Sequence, residues 1–504
     1  MKSKKMKNVS KIFLVMSIFC VGVVAQTTPP EPSAPKSVKI PAVKAKTLPN
    51  KLQVVVVERK NVPLVTVQLL IKSGAGNERE SKAGLADMTA SLLTKGTTTR
   101  TATQIAEQME FLGGSIDTGA GWNNSVVTIN VMADKLDQAM TIMADAVLNP
   151  AFKQDEIDLL KTQTIDGLNF NLTQPGFLAN YVASVYSFDE HTAGGTPVSI
   201  NSIKRDDIVK FHKDSFQPNN AVLIFTGDIT SDKANELAQK SFGTWKKNII
   251  KVKKDNLMEI SQEPHQESET QTFFVGRILV IDLPNSGQSA VSYANWIGRG
   301  RTEIDIGRNK ANVGESYYPA IVLNSLLGGG YSSRLNQEIR IKRGLSYGAG
   351  SSFAWRALNS NFATRTQTKN ESAAEVAELV IAEIKKLSDG AIPDSELNPR
   401  KLVLNGTFGR NLETTGGLAG AIADLYSFGL PTSELNTYMN SVNAVSDANI
   451  QKFAGENLKG GDIIIVGDYA KFKDDLAKRF PKTRIEVIKS DELDLSNSNL
   501  MKAK

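Results

Sequence analysis

The chain contains three histidines, His191, His212 and His265, and a single cysteine, Cys20. No two of the histidines lie within helical reach of one another, so no helix face can present a pair of imidazoles to a metal. Each is expected in a loop or on the surface. Phosphate chemistry fares no better. Thr94-Lys95-Gly96-Thr97 lacks the first glycine and the strand-loop-helix order of a phosphate loop. Gly328-Gly329-Gly330 follows a helical pattern, the wrong context for a dinucleotide fingerprint, and Gly348-Ala349-Gly350 lacks the serine of a nucleophile elbow. What remains is a polar pair, Arg343 and Tyr347, flanking a turn at Gly344. Function is to be sought there.

The elements around that pair have readable signals. Gly328, Gly329 and Gly330 permit a close backbone approach that a side chain would block. Ser332 or Ser333 can cap a helix over residues 334–342, with Leu335 and Ile339 on one face. Gly344 stands where a helix C-cap glycine belongs. Leu345, Tyr347 and Ala349 then alternate as a strand does, over residues 345–352.

At the other end, Lys2, Lys4, Lys5, Lys7 and Lys11 precede an apolar run over residues 12–24, followed by Val23-Val24-Ala25 and a polar, Pro-containing stretch. This is the pattern of a secretory signal peptide over residues 1–25, too short for a stable membrane span. Its removal takes five lysines and no acids, lowering the formal charge from +6 to +1. The basic balance therefore reflects targeting and implies no nucleic-acid partner. Cys20 leaves as well, so the mature chain holds no disulfide and no thiolate metal site. Phe19 is too large to precede a lipid-modified cysteine, so the mature chain is expected in the periplasm, the cell envelope or the medium. Residues 26–44 read as a flexible leader.

The remaining chain rhymes with itself. Leu52-Gln53-Val54-Val55-Val56-Val57 and the apolar run over 64–71 read as paired strands leading to a helix from Gly84 onward. Ile278-Leu279-Val280-Ile281 and Ser289-Ala290-Val291-Ser292-Tyr293 play the same part before a helix that ends at Gly328. Ser91-Leu92-Leu93 is repeated as Ser325-Leu326-Leu327, and Thr118-Gly119-Ala120-Gly121 is echoed by Tyr347-Gly348-Ala349-Gly350. A duplicated domain is the economical explanation. The halves span residues 45–250 and 273–489, joined by a charged, aperiodic linker over 251–272 and followed by a mobile tail over 490–504. Periodicity alone implies two α/β or α+β domains.

The stretch from Gly328 through Arg343 to Tyr347 resembles the C-terminal signature of the pitrilysin/insulinase metallopeptidases, and the likeness extends over residues 45–485. That resemblance implies an α+β, sandwich-like fold. Two homologous domains, each a mostly antiparallel sheet packed with helices, face each other as a clamshell with peptide on a sheet edge inside. It also implies that Arg343 and Tyr347 hydrogen-bond the substrate carbonyl beside the scissile bond, with Gly328, Gly329 and Gly330 shaping the chamber.

Active members of that family carry an inverted His-x-x-Glu-His zinc motif. Alignment on Gly84-Leu85-Ala86 places Asp87 and Ser91 at the histidines, Ala90 at the general base and Gly167 at the third ligand. Asp87, Thr89 and Ser91 are instead expected on the polar face of a helix packed through Leu85, Met88 and Leu92. The resemblance thus implies a chain that binds no metal cofactor itself. It would complete the chamber of a homologous zinc-bearing subunit and act in trans on that subunit's peptide substrate. The alternative is a stand-alone, non-catalytic peptide-binding or scaffold protein of the cell envelope.

Overall fold

A computed structural model describes residues 40–247, 274–305 and 310–502. The expected signal peptide and the 251–272 linker lie outside the described residues. Strands of the first half are β1 (Val43–Thr47), β2 (Gln53–Glu58), β3 (Leu64–Ile71), β4 (Ser115–Ala120), β5 (Ser125–Met132) and β6 (Ala221–Gly227). Those of the second are β7 (Ile278–Asp282), β8 (Ser289–Ile297), the hairpin β9 (Thr302–Asp305) and β10 (Lys310–Val313), β11 (Ala349–Trp355), β12 (Ser360–Thr368), β13 (Asp462–Gly467) and β14 (Ile485–Lys489). Apart from the β9-β10 hairpin, which pairs separately, they form two six-stranded sheets, ordered β1-β2-β6-β3-β5-β4 and β11-β12-β8-β13-β7-β14. The fold is α+β, with both sheets mixed and mostly antiparallel.

The internal repeat is visible in the strand order, since β2-β6-β3-β5-β4 matches β7-β13-β8-β12-β11. The match also corrects an expected pairing. β2 and β3 are not neighbours, because β6 lies between them, parallel to β2 and antiparallel to β3. β13 separates β7 from β8 in the same way. The returning strands take the centre because they are the most apolar. Every residue of β6 and of β13 is buried, as a strand covered on both faces requires.

One cover comes from each half's own helices and the other is exchanged between halves. Helix Pro175–Tyr186 of the first half sets Leu178, Ala179, Val182 and Ala183 on the second sheet, against Leu279, Ile281, Ala290, Ile464 and Val466. Its Phe177 and Tyr181 pack on the first half's core. In return, helix Thr415–Ser427 of the second half lies on β3 and β6. There Thr226 Oγ1 donates to the Thr415 carbonyl at 2.8 Å, and Thr66 Oγ1 to Thr415 Oγ1 at 2.8 Å. A polar clasp joins the halves at one rim. Glu190 accepts from Arg356 Nη2 at 2.7 Å and from Asn361 Nδ2 at 2.7 Å, while the Arg356 guanidinium lies 4.4 Å from the Trp122 ring.

Four further expectations change. The 26–44 leader already contains the start of β1, which pairs with β2 from Val43 onward. Residues 490–502 are no mobile tail. Leu500 is fully buried against the second sheet beside Leu493 and Leu495, and Asp494 N donates to the Leu500 carbonyl at 2.8 Å. The apolar leucines within that polar stretch supply the anchor. Beyond Arg334 and Leu335, residues Asn336–Lys342 form a π-helix, the wider turn often found at functional sites, and no side chain caps it. Finally, β11 begins at Ala349, so Leu345 to Gly348 form a connection and not strand.

His212, expected in a loop or on the surface, is half-buried on helix Arg205–Ser215, against the first core. Its ring stacks on Phe216 with centroids 4.7 Å apart, meets Phe152 edge-on, and places Nε2 2.9 Å from the Val147 carbonyl. Burial pushes its pKa down to about 4. Because the folded value lies below the unfolded one, this group's contribution is fully present above about pH 6.5 and is lost as pH falls toward 4. It amounts to at most roughly 3 kcal/mol. His212→Phe should flatten the fall of the urea midpoint between pH 7 and 4, and an unchanged slope would refute the assignment. In the clasp, Arg356→Met should cost about 2–4 kcal/mol by stranding a nearly buried Glu190, whereas joint Arg356→Met and Glu190→Gln should cost less. Urea denaturation of the two singles and the double decides this, and a double as unstable as the summed singles removes the coupling.

Candidate functional site

The aligned metal position lies on helix Leu85–Leu92. Its N-terminus is built by Glu78, whose fully buried carboxylate accepts the Gly84 N–H at 2.8 Å and the Ala86 N–H at 2.7 Å. A carboxylate is the charge that end of a helix favours. Gly84 takes φ +92°, a left-handed backbone that strains any residue with a side chain, and a Cβ there would also press on Ile200 Cδ1. His191 packs on this cap, with Nε2 3.2 Å from Glu78 Oε1 and its ring 4.9 Å from that of Trp122. It is therefore a partner of the cap, set back from the helix face where metal ligands would stand.

On that face, Asp87 is exposed into the space between the halves, Ser91 is half-buried and Ala90 is buried. Asp87 accepts the Ala120 N–H of edge strand β4, and burial, helped by the nearby Asp87 charge, raises the Tyr181 phenol to about 12. Loss of surrounding water outweighs the Ala120 hydrogen bond and pushes the Asp87 carboxyl up, toward its protonated form. Thr89, expected on the polar face, is fully buried, and its hydroxyl bonds the Leu85 carbonyl at 2.7 Å. Gly167 is exposed on helix Gln154–Asn171 with open space around it. One carboxyl, one hydroxyl, a methyl and a glycine do not fit a zinc site, which needs three convergent nitrogen, sulfur or carboxylate ligands. Among the described residues no cluster of three or more His, Cys, Asp or Glu has a metal-binding arrangement.

Across the space between the halves, the glycine triplet lets a helix end meet a strand. A Cβ on Gly328 would stand 2.2 Å from the Ser351 amide of β11, and the Ser351 N–H donates to the Gly328 carbonyl at 3.2 Å. Gly329 is equally enclosed, 2.8 Å from Ser325 Cα, whereas Gly330 is open. Gly344 takes φ +65° and turns the chain out of the π-helix. Tyr347 then stands 90% exposed at the mouth of a cavity of about 370 Å³. Arg343 does not line that cavity. It is paired with Glu338 and, at 3.5 Å, with Glu375.

The cavity wall holds residues that sequence reasoning missed. Asn180 comes from the exchanged helix, and Arg365 and Gln367 come from β12. Their alternation in Thr364-Arg365-Thr366-Gln367-Thr368 was the available signal, two exposed polar side chains on one strand face. If the donor set is as described, the purified protein should carry no stoichiometric zinc by elemental analysis. A full equivalent that Asp87→Asn abolishes would overturn this.

Comparison with known proteins agrees with the geometry. Residues 53–171 match the model described as insulinase (peptidase family M16), and residues 202–402 match the one described as peptidase M16 inactive domain. The first match contains Asp87, Ala90, Ser91 and Gly167; the second contains the glycine triplet, Arg343 and Tyr347. A protein of Helicobacter pylori named zinc protease PqqE is 27% identical, over 76% of this chain and 83% of its own length. Another from the same organism, named non-peptidase homolog YmxG, is 22% identical over 82% of this chain and 90% of its own. The crystal structure of a peptidase M16 inactive domain from Pseudomonas fluorescens superposes with a TM-score of 0.73 at 22% identity, covering 84% of this chain and 98% of that one. With both family segments present in order on a shared two-sheet fold, the chain belongs to the insulinase family of M16 peptidases.

Proposed function

We propose that this protein is a non-catalytic M16 subunit that works outside the cytoplasm beside a separate, zinc-bearing homologue. The observation that carries the reading is the donor set at the metal position, where Asp87, Ala90, Ser91 and Gly167 replace two ligands, a base and a third ligand. The second half, by contrast, keeps Tyr347 free at the mouth of the cavity between the halves. Support also comes from Helicobacter pylori, where a zinc protease and a non-peptidase homolog both resemble this chain. In the complex, Arg343 and Tyr347 donate hydrogen bonds to the substrate carbonyl as charge develops on it, and the glycine triplet shapes the wall behind them. The cut itself takes place on the partner.

A second reading, peptide capture without cleavage, is favoured by the pairing of Arg343 with Glu338 and Glu375, away from the cavity. Edge strands β4 and β11 would then receive a peptide by strand addition. The readings part on one assay. Alone, the protein should leave a peptide library intact. With the zinc-bearing homologue from the same genome, chelator-sensitive cleavage should exceed that of the homologue alone. Arg343→Ala should lower turnover of the complex by about two orders of magnitude, the scale of a lost oxyanion donor. A variant complex as fast as wild type removes the Arg343 role, and no gain on mixing leaves only capture.

A further inference from the structure

We infer that the cavity beside Tyr347 is a subsite for an acidic residue of the bound peptide, with Arg365 as its specificity determinant. This rests on the reading of Tyr347 as a peptide contact. The cavity, about 370 Å³, has room for one long side chain and its backbone. Its walls come from both halves: Gly176 and Asn180 of helix Pro175–Tyr186 on one side, and Arg365, Gln367 and the Tyr347 connection on the other.

The lining contains no aspartate or glutamate, and Arg365 is its one formally charged side chain. Asn180 Oδ1 accepts from Arg365 Nε at 3.1 Å. A neutral amide thus aims the guanidinium without neutralising it, and no carboxylate among the described residues pairs with it. Arg277, Arg334, Arg343 and Arg356, by contrast, each hold a carboxylate. Gln367 adds a second donor. Its Nε2 would lie 2.3 Å from a Cβ on Gly176, so the absence of a side chain there is what lets the carboxamide lie across the helix's first turn.

The chemistry that fits is a carboxylate, which can take two parallel hydrogen bonds from the free edge of a guanidinium and a third from the amide or the Tyr347 phenol. A peptide lysine or arginine meets a like charge and no anionic acceptor, so it is rejected.

The test uses the isolated full-length mature protein and fluorescein-labelled peptides that differ only by Glu, Gln or Lys at one scanned position. Fluorescence anisotropy at low salt should show the Glu peptide binding about ten-fold tighter than the Gln peptide, with the gap closing as salt rises. Arg365→Gln should abolish the gap, and Arg365→Glu should turn the preference toward Lys. An equal Glu-to-Gln ratio in wild type and Arg365→Gln overturns the inference, as does failure of every peptide to bind. The subsite and the partnership fail separately. Partner-dependent cleavage without preference for acidic peptides removes the subsite alone. An Arg365-dependent preference in the isolated protein, with no partner-dependent cleavage, removes the partnership alone.

Discussion

A strand that is apolar on both faces cannot border water on either, and both sheets are centred on one. β6 and β13 are buried along their whole length, so each sheet needs a layer on its second face as well as its first. The chain supplies that layer by exchange. Helix Pro175–Tyr186 crosses to the second sheet and helix Thr415–Ser427 crosses to the first. Each buried aliphatic side chain on these helices is worth ~1.5–3 kcal/mol, so that together they outweigh the single rim clasp. The two halves are therefore one cooperative structure. The space between them is the remainder left once the exchanged helices have been seated.

That arrangement ties the two functional regions to one element. Helix Pro175–Tyr186 presents Tyr181 beside Asp87 at the aligned metal position, and presents Gly176 and Asn180 to the cavity of Tyr347 and Arg365. Its Leu178 and Val182 are pinned in the second core. Any displacement of the halves must move both regions together, because the same rigid turns of helix border each. The Glu190–Arg356 clasp fixes a third point at the rim, so the relative placement of Asp87, Tyr181 and Arg365 is set by packing and charge together.

Local patterns made much of this legible. Apolar runs announced β2, β3, β7 and β8, the repeated Ser-Leu-Leu marked equivalent helix ends, and Gly344 marked the exit from the Arg343 helix, where its φ is +65°. The residue types at Asp87, Ala90, Ser91 and Gly167 are read from the sequence alone. What could not be read was everything decided by distant partners. β6 enters between β2 and β3 from a point far along the chain, and nothing within either strand signals it. Thr89 looked polar but is buried, because its hydroxyl is satisfied by its own helix at Leu85. His212 looked like a surface residue because Phe152 and the Val147 carbonyl, which meet its ring, arrive from a distant segment. Arg365 carried no motif at all. Its meaning depends on Asn180, which arrives from the other half.

The helix that carries Asp87 and Ser91 needs no metal ligand to hold it, and the reason is visible in its contacts. Its exposed N-terminal amides are taken by Glu78, its start is shaped by Gly84 against Ile200, and Leu85, Met88 and Leu92 are sunk in the core. None of these contacts involves the positions where ligands would stand. Folding and metal binding thus draw on different faces of one helix, so the ligand face can change without penalty to the core. The opposite half has no such freedom at its glycine triplet, since a side chain at Gly328 would drive the helix end off β11 and shift the connection that carries Tyr347. A fold built this way can lose its chemistry on one side while the other side continues to be held in place by packing.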